Sequence, residues 1–202
     1  MNDFEKTLVT YLGEKNFQKI QTAIIGIAGC GGIGSNCAFN LVRSGVKNLV
    51  LVDFDIIDIK NINRQFYFLD QVGKIKVEAL KNNLLRINPD LNLKIFNEKL
   101  NRDNIKIIFE NCDFIVEAFD VSEYKKMIVE EVAKIKSGIV SVSGVAGIGR
   151  SDDIKTKKIN DSFYIVGDMV SDVKENPPFS PRVNVAAAKQ ADIVLEYIIK
   201  RL

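Results

Sequence analysis

A glycine-rich run stands where a predicted strand turns into a predicted helix. Residues 29–34 read GCGGIG, with glycine at Gly29, Gly31, Gly32 and Gly34. Glycine lets the backbone turn tightly and approach a phosphate, and the helix that follows offers free N–H groups and the positive end of its dipole. Asp53 follows the next predicted strand, at about the 20-residue spacing typical of a carboxylate that binds ribose hydroxyls. These residues predict a nucleotide site; the alternative is that the glycines serve only close packing of helix on strand.

Two residue types limit the chemistry that this chain can perform. It contains no histidine, which excludes a Ser-His or Cys-His nucleophile and a histidine-ligated metal. Its three cysteines, Cys30, Cys37 and Cys112, form no CxxC pair and no disulfide framework, so we expect no structural zinc. The chemistry must therefore come from carboxylates, Lys, Arg, Tyr, Cys or the substrate itself.

Length and composition indicate one cytoplasmic domain. The 202 residues, 47% of them hydrophobic, are enough for one sizeable core, so we expect a single domain over residues 1–202. A net charge of +2 gives no reason to expect nucleic acid or an acidic membrane as partner. No apolar stretch is long enough to span a bilayer, and acids stand at the N-terminus where a signal peptide would be basic.

Strands and helices alternate along the chain. The apolar runs TAIIGIAG and NLVLVDFD read as buried parallel strands with a helix over 32–44 between them. Further predicted strands are LNLKIFN, DFIVEAFD and residues 139–143, and further predicted helices are 75–87, 102–110 and 122–136. This order predicts an α/β, Rossmann-like, mostly parallel sheet flanked by helices, with KTKKI and SFYIVG as a small antiparallel extension. Asp53 and Asp120 would follow their strands at the carboxyl edge, where such folds bind ligands.

Four other segments lie outside this alternation. Residues 3–20 read as a short helical lead-in, and the last twenty residues read as an amphipathic helix. The polar connection 54–74 is longer than usual, which indicates a functional loop. The segment 168–181, with three prolines, is predicted to be a mobile loop.

Five ordered motifs carry a resemblance to a known family. They are GCGGIG at 29–34, Asp53-Phe54-Asp55, Asn61-Ile62-Asn63-Arg64-Gln65, Val72-Gly73-Lys74-Ile75-Lys76 and Arg86-Ile87-Asn88-Pro89. In this order the chain resembles the ThiF/MoeB/HesA family, relatives of the ubiquitin-activating enzymes, over roughly residues 1–150. It is most similar to short, zinc-free ThiF-like proteins of thiamine biosynthesis.

The resemblance implies ATP and Mg²⁺ as ligands and an adenylation reaction. In that reaction a carboxylate attacks the α-phosphate of ATP and pyrophosphate leaves, so the main task is to neutralise charge and hold an in-line geometry. Arg64 and Lys76 would grip phosphate oxygens and Asp120 would hold the cation, while Asp55, Asn61 and Gln65 would join them around the nucleotide. The attacking carboxylate is already ionised at pH 7 and needs no general base.

Simpler interpretations of the same residues remain open. Arg64 and Lys76 could be surface charges, and Asp120 could cap the helix that begins near Ser122. Asn61 could be an ordinary turn residue, and Asp55 could organise the loop.

By the same resemblance, the substrate is the C-terminal glycine carboxylate of a ubiquitin-like sulfur carrier of the ThiS type that ends in Gly-Gly, and the chain forms a homodimer. The alternatives within this chemistry are a MoaD-type carrier, a small molecule or a tRNA-borne carboxylate. An NAD-linked oxidoreductase and a non-catalytic nucleotide-binding regulator are alternatives of other classes.

The chain differs from many relatives in three respects. Residues 167–185 contain no cysteine, the lead-in contains no arginine, and Val121 follows Asp120.

Overall fold

The computed structural model describes residues 1–135 and 137–201. The last positions of the predicted helix 122–136 and of the predicted C-terminal helix lie outside these residues. The chain forms α1 (Asp3–Leu12), α2 (Glu14–Thr22), β1 (Ile24–Ala28), α3 (Gly32–Arg43), β2 (Asn48–Val52), α4 (Lys76–Leu85), β3 (Asn92–Phe96), α5 (Asn104–Phe109), β4 (Phe114–Glu117), α6 (Ser122–Val132), β5 (Gly138–Val142), β6 (Lys155–Lys158), β7 (Phe163–Gly167) and α7 (Ser180–Arg201).

Seven strands form one twisted sheet in the order β3-β2-β1-β4-β5-β7-β6. All neighbouring pairs are parallel except β6 and β7, which are antiparallel. The chain moves outward from β1 through β2 to β3 and then returns to place β4 on the other side of β1. Ligands of open α/β sheets bind at such a reversal, beyond the carboxyl ends of the strands. The Rossmann-like fold and its antiparallel extension are therefore confirmed.

Helices cover both faces of the sheet. The larger apolar core joins the strands to α3, α4 and α7, and a smaller core lies on the other face beneath α5 and α6. The apolar residues of α7, among them Val183, Val194 and Ile198, are buried within this chain. The apolar stripe of the C-terminal helix therefore covers the chain's own sheet. In residues 1–135 and 137–201, no helix is long and apolar enough to cross a membrane.

Two predicted elements have different bounds in the structure. The lead-in is two helices, because Gly13 between them adopts φ +73°, a left-handed conformation that interrupts a helix. The strand predicted to end on Asp120 ends at Glu117 instead. The buried Glu117 carboxylate accepts a hydrogen bond from the backbone N–H of Phe119, at 2.7 Å, where the chain leaves the strand and bends towards α6.

Candidate functional site

A cavity of about 680 Å³ lies across the carboxyl ends of the central strands. Its size is within the range of about 300–1,000 Å³ typical of small-molecule sites. Every predicted site residue lines it except Gly34 and Asn61: these are Gly29, Gly31, Gly32, Asp53, Asp55, Arg64, Gln65, Lys76 and Asp120. We call the part lined by residues 29, 31–33, 53–55, 64–65 and 76 the glycine-turn end. The part formed by Lys125, residues 142–145 and residues 169–173 is the β5–β7 end.

Asp53 organises the backbone of the glycine-turn end. One carboxylate oxygen accepts from the N–H of Cys30 at 2.7 Å, and the other accepts from the N–H of Asp55 at 2.8 Å. Burial raises the pKa of Asp53 above its usual value, although the positive charge of Lys76 opposes the shift. Gly29, which precedes this contact, adopts φ +93°. The carboxylate thus holds the turn and the start of the connection together.

Gly34 and Asn61 stand behind the cavity wall. A Cβ on Gly34 would lie 1.8 Å from the carbonyl oxygen of Gly29, so only glycine allows α3 to approach the turn this closely. The side-chain oxygen of Asn61 accepts from the N–H of Asp58 at 3.0 Å in a reciprocal capping arrangement. Both residues shape the site from outside it, and direct contact of either with a nucleotide stays a prediction.

The long connection after β2 is fastened to the glycine turn. The side-chain amide of Asn36 donates to the carbonyl of Gly32 and to that of Arg64, at 2.7 and 2.8 Å. The hydroxyl of Tyr67 donates to the carbonyl of Cys30 at 2.7 Å. These contacts hold residues 64–67 against the turn, so the predicted functional loop has a defined position beside the glycines.

Two cations reach the cavity, Arg64 from this connection and Lys76 from the start of α4. Arg64 is half-buried and donates to its own loop, to the carbonyl of Lys60 at 3.0 Å. Partial burial lowers the pKa of Arg64 from its usual value, and the negative charge of Asp120 opposes the shift. Lys76 is buried and its Nζ lies 2.7 Å from a carboxylate oxygen of Asp55. The site thus places two cations beside the glycine turn, where the carboxylates of Asp53 and Asp55 also line the cavity.

The surroundings of Asp120 suit a cation held jointly with phosphates. In the described part of the chain its carboxylate has no hydrogen-bond or ion-pair partner, and the residue that precedes α6 as N-cap is Val121. No group of three or more Asp, Glu, Cys or His among residues 1–135 and 137–201 could hold a metal ion. A Mg²⁺ ion bound by Asp120 would take its further ligands from water or from phosphate oxygens, both of which Mg²⁺ commonly uses.

A buried ion pair borders the β5–β7 end. The Glu117 side chain is fully buried and accepts from Phe119 N, Val142 N, the Ser141 hydroxyl and the Lys125 ammonium. Lys125 Nζ lies 3.2 Å from the Glu117 carboxylate and donates to the carbonyl of Val142 at 2.9 Å. The pair joins the ends of β4 and β5 to α6.

A second buried pair shapes the loop predicted to be mobile. Arg182 in α7 is paired with the Asp168 carboxylate and also donates to the carbonyls of Gly149 and Arg150, both at 2.7 Å. Asp168 in turn accepts from the N–H groups of Val170 and Ser171. The first residues of the segment 168–181 are thus tied to the fold, and its mobility stays a prediction.

Sequence reasoning missed several residues that line the cavity. Lys99 lies between the rings of Phe54 and Tyr124, with Nζ 5.9 and 5.1 Å from the two ring centroids. Lys125 was missed because EYKKM reads as the polar face of a helix. Glu117 did leave a signal, since a carboxylate inside the apolar run DFIVEAF must find partners when the strand is buried.

The cysteines contribute no nucleophile at this site. Cys30 and Cys37 are fully buried and Cys112 almost so. Burial raises the pKa of the Cys30 and Cys37 thiols, and raises that of Cys112 to about 12. A thiolate is the reactive form of cysteine, so these thiols are unreactive in the folded chain.

The fold and the cavity define a Rossmann-type nucleotide-binding protein whose charged connection after β2 faces the glycine turn. Residues 5–195 match the ThiF family, and the chain belongs to that family. It is 31% identical over 137 residues to a tRNA threonylcarbamoyladenosine dehydratase of Bacillus subtilis, covering 67% of this chain and 54% of the relative. It is 30% identical over 157 residues to a SUMO-activating enzyme subunit 2 of Dictyostelium discoideum, covering 74% of this chain and 24% of that subunit. The chain thus spans about half, or less, of the length of these relatives.

Solved structures share the fold over nearly the whole chain. The protein TcdA (CsdL) superposes with a TM-score of 0.86 at 21% identity, covering 96% of this chain and 93% of the other. An Escherichia coli tRNA N6-threonylcarbamoyladenosine dehydratase, TcdA, solved in complex with ATP, gives a TM-score of 0.81 at 21% identity, with 97% and 92% covered. At this level of identity the likeness establishes the fold.

Proposed function

We propose that this chain binds ATP with Mg²⁺ and adenylates a carboxylate. The observation that carries the proposal is the convergence of Arg64, Lys76 and Asp120 on one cavity beside the glycine turn. Such a site suits a reaction between two anions, a carboxylate and a triphosphate, because its main requirement is charge neutralisation in a fixed geometry.

The residues support each part of this reaction. A carboxylate oxygen forms a bond to the α-phosphorus of ATP, the bond from that phosphorus to the bridging oxygen breaks, and pyrophosphate leaves. No proton is transferred, which agrees with a chain that lacks histidine. Arg64 and Lys76 would neutralise phosphate oxygens, and Asp120 would hold a Mg²⁺ ion, which would supply further shielding of the phosphate charge.

The carboxylate that we propose is the C-terminal glycine of a ubiquitin-like sulfur carrier of the ThiS type, for thiamine biosynthesis. Support comes from the family membership and from the cavity's position under the segment 168–181, several of whose apolar side chains are exposed, including Met169, Val170 and Val173. This segment would guide the flexible Gly-Gly tail over the sheet towards the α-phosphate.

The test is ATP–pyrophosphate exchange with and without a purified ThiS-type carrier. We expect exchange that depends on the carrier and disappears when its terminal glycine is deleted. Tight ATP binding without exchange, under all carboxylates tried, would contradict adenylation and favour a nucleotide-binding regulator. Binding of a nicotinamide cofactor in place of ATP would favour an oxidoreductase.

Arg64→Ala gives the sharpest variant for this assay. We expect exchange to fall by about 10²- to 10³-fold, the range for removing one preorganised donor from a developing charge. Asp120→Ala should do the same, and both variants should keep the wild-type melting temperature. Arg86→Ala, which removes an exposed arginine outside the cavity, is the matched control and should leave exchange unchanged. Full activity in the Arg64 and Asp120 variants would refute the assignment.

A tRNA-borne carboxylate is the second candidate substrate. It is favoured by the 31% identity to the Bacillus subtilis tRNA threonylcarbamoyladenosine dehydratase. Exchange stimulated by tRNA bearing threonylcarbamoyladenosine, but not by the carrier, would replace the first candidate with the second.

We further propose that residues 1–202 act as one adenylation domain and pair as a homodimer. Exposed apolar side chains on the connection beside the cavity, Ile59, Leu69 and Val72, support such an interface. Sedimentation equilibrium of the wild type and of Leu69→Lys tests it, because a charge at this surface should shift a dimer towards monomer.

A further inference from the structure

The cavity is larger than the part that its nucleotide motif accounts for. Every residue of the glycine-rich nucleotide motif that lines the cavity lies at the glycine-turn end, beside β1 and β2. The cavity continues past Asp120 along the ends of β4, β5 and β7, where Lys125, Ser143 and Gly144 form the wall. If ATP occupies the glycine-turn end, the β5–β7 end offers space for the second reactant.

The Glu117–Lys125 pair is asymmetric in its exposure. The Glu117 side chain is 0% exposed, whereas that of Lys125 is 23% exposed and lines the cavity. Three donors besides Lys125, namely Phe119 N, Val142 N and the Ser141 hydroxyl, already satisfy the buried carboxylate. The pair therefore hides its anion and presents its cation to the cavity.

Lys125 also retains capacity to bind. An ammonium group has three donors, and within the described residues two of them are used, by the Glu117 carboxylate and the Val142 carbonyl. These two contacts fix the ammonium in place, so a third hydrogen bond costs little further side-chain entropy. A fixed cation with one free donor, mostly shielded from water, suits a carboxylate.

We propose that Lys125 binds the carboxylate substrate at the β5–β7 end and determines its affinity. This inference rests on the proposed adenylation and names the residue that recognises the acyl reactant. Lys125 would hold one carboxylate oxygen and leave the other free to attack the α-phosphorus. Its charge offsets the repulsion between the incoming anion and the triphosphate on the opposite side of Asp120.

The experiment separates the affinity for the carboxylate from that for ATP. ATP–pyrophosphate exchange with the ThiS-type carrier gives both KM values for wild type, Lys125→Met and Lys125→Arg. We expect Lys125→Met to raise the KM for the carrier about 10-fold or more and to leave the KM for ATP within about twofold, and Lys125→Arg to restore most of the loss. Lys126→Met is the matched control, because the neighbouring ammonium is 78% exposed and contacts only Glu130 at 3.8 Å among the described residues.

Two further measurements keep the outcomes distinct. Lys125→Met leaves the Glu117 carboxylate without its cation, so the double variant Glu117→Gln/Lys125→Met is measured as well. It should fold and show the same rise in the KM for the carrier.

Binding of a short peptide ending in Gly-Gly, in the presence of AMP, is followed by NMR for wild type and variants. A wild type without exchange would contradict adenylation, but the peptide would still report on Lys125. Unchanged KM for the carrier, an equal rise in both KM values, or peptide binding independent of Lys125 would overturn the inference.

Discussion

The two ends of the cavity are held together by different kinds of contact. At the glycine-turn end, the position of the wall depends mainly on backbone geometry: Gly34 lies against the carbonyl of Gly29, and Asp53 accepts from two backbone N–H groups. The ion pair at this end, Lys76–Asp55, has a carboxylate that is 49% exposed. At the β5–β7 end, two buried ion pairs, Glu117–Lys125 and Asp168–Arg182, join segments that come from different elements. The shape of the glycine-turn end therefore depends mostly on which residues fit its backbone conformation. The shape of the β5–β7 end depends on charged side chains that meet only after folding.

This difference predicts how each end fails. A change in a backbone requirement should distort the glycine turn and with it nucleotide binding. A change in a buried charge should leave its partner unpaired in a poorly solvated place, which is costly because a buried charge needs compensation. The expected losses therefore differ in size, in the ligand affected and in their dependence on pH.

The largest loss of stability should follow Arg182→Met. The substitution leaves Asp168 without its cation, and breaking a buried pair in this way typically costs about 3–5 kcal/mol. Urea unfolding measures the loss, and Asp168→Asn in the same chain should recover part of it. Arg201→Met removes an exposed arginine that lies 3.3 Å from the exposed Asp161, and should have a much smaller effect, because exposed ion pairs contribute little to stability.

The effect of Arg182→Met on the binding of each ligand tests whether the two ends act separately. At a temperature where the variant is folded, we expect ATP affinity close to wild type and a raised KM for the carboxylate substrate. Equal losses for both ligands would mean that the two ends do not act as separate units.

The next largest loss should follow Gly34→Ala. Alanine is the better helix former, yet its Cβ would meet the Gly29 carbonyl oxygen at 1.8 Å, and overpacking of this kind costs about 1–3 kcal/mol or more. ATP affinity should fall with stability, because the turn must move to admit the methyl group. Gly73→Ala is the control: Gly73 has φ +86° but open space around it, so only backbone strain of about 1–2 kcal/mol is expected, without loss of ATP affinity.

The glycine-turn end was predictable from sequence because its requirements are local. A glycine at a position that admits no side chain is visible in the sequence, and so is a loop such as 54–74 that exceeds the usual length. The strand alternation was predictable for a similar reason, since parallel strands buried on both faces read as continuous apolar runs. The strand end at Asp120 was misplaced by three residues, because the strand ends at Glu117, whose side chain binds the backbone N–H of Phe119 in a contact that the sequence does not reveal.

The β5–β7 end was not predictable in the same way. Lys125 looks like one of two solvated lysines, and only the structure shows that it faces the cavity while Lys126 is exposed. Arg182 follows a proline-containing segment and pairs across 14 residues with Asp168, through a contact that exists only once α7 packs on the sheet. Which charged residues of different elements pair depends on how those elements pack, and no local sequence pattern shows this.

The smallest effect, and the most direct contrast between the two ends, is the pH dependence of stability. Burial alone raises the pKa of Asp168, but the N–H groups of Ser171 and Val170, with the Arg182 charge, outweigh it and the net pKa is lowered. A lowered pKa stabilises the folded chain at neutral pH, and this stability is lost as pH falls through the folded-state value. The pKa of Asp53 is raised, so its contribution has the opposite sign and favours the folded chain only as pH falls.

Asp168→Asn and Asp53→Asn should therefore change the acid sensitivity in opposite directions. Between roughly pH 5 and pH 2, the wild type loses stability through Asp168 and regains some through Asp53. Asp168→Asn should flatten the dependence of the unfolding free energy on pH, and Asp53→Asn should steepen it. Urea unfolding at a series of pH values measures both slopes. If both substitutions changed the slope of unfolding free energy against pH in the same direction, the carboxylates at the two ends would be stabilised alike. The distinction drawn between the glycine-turn end and the β5–β7 end would then be wrong.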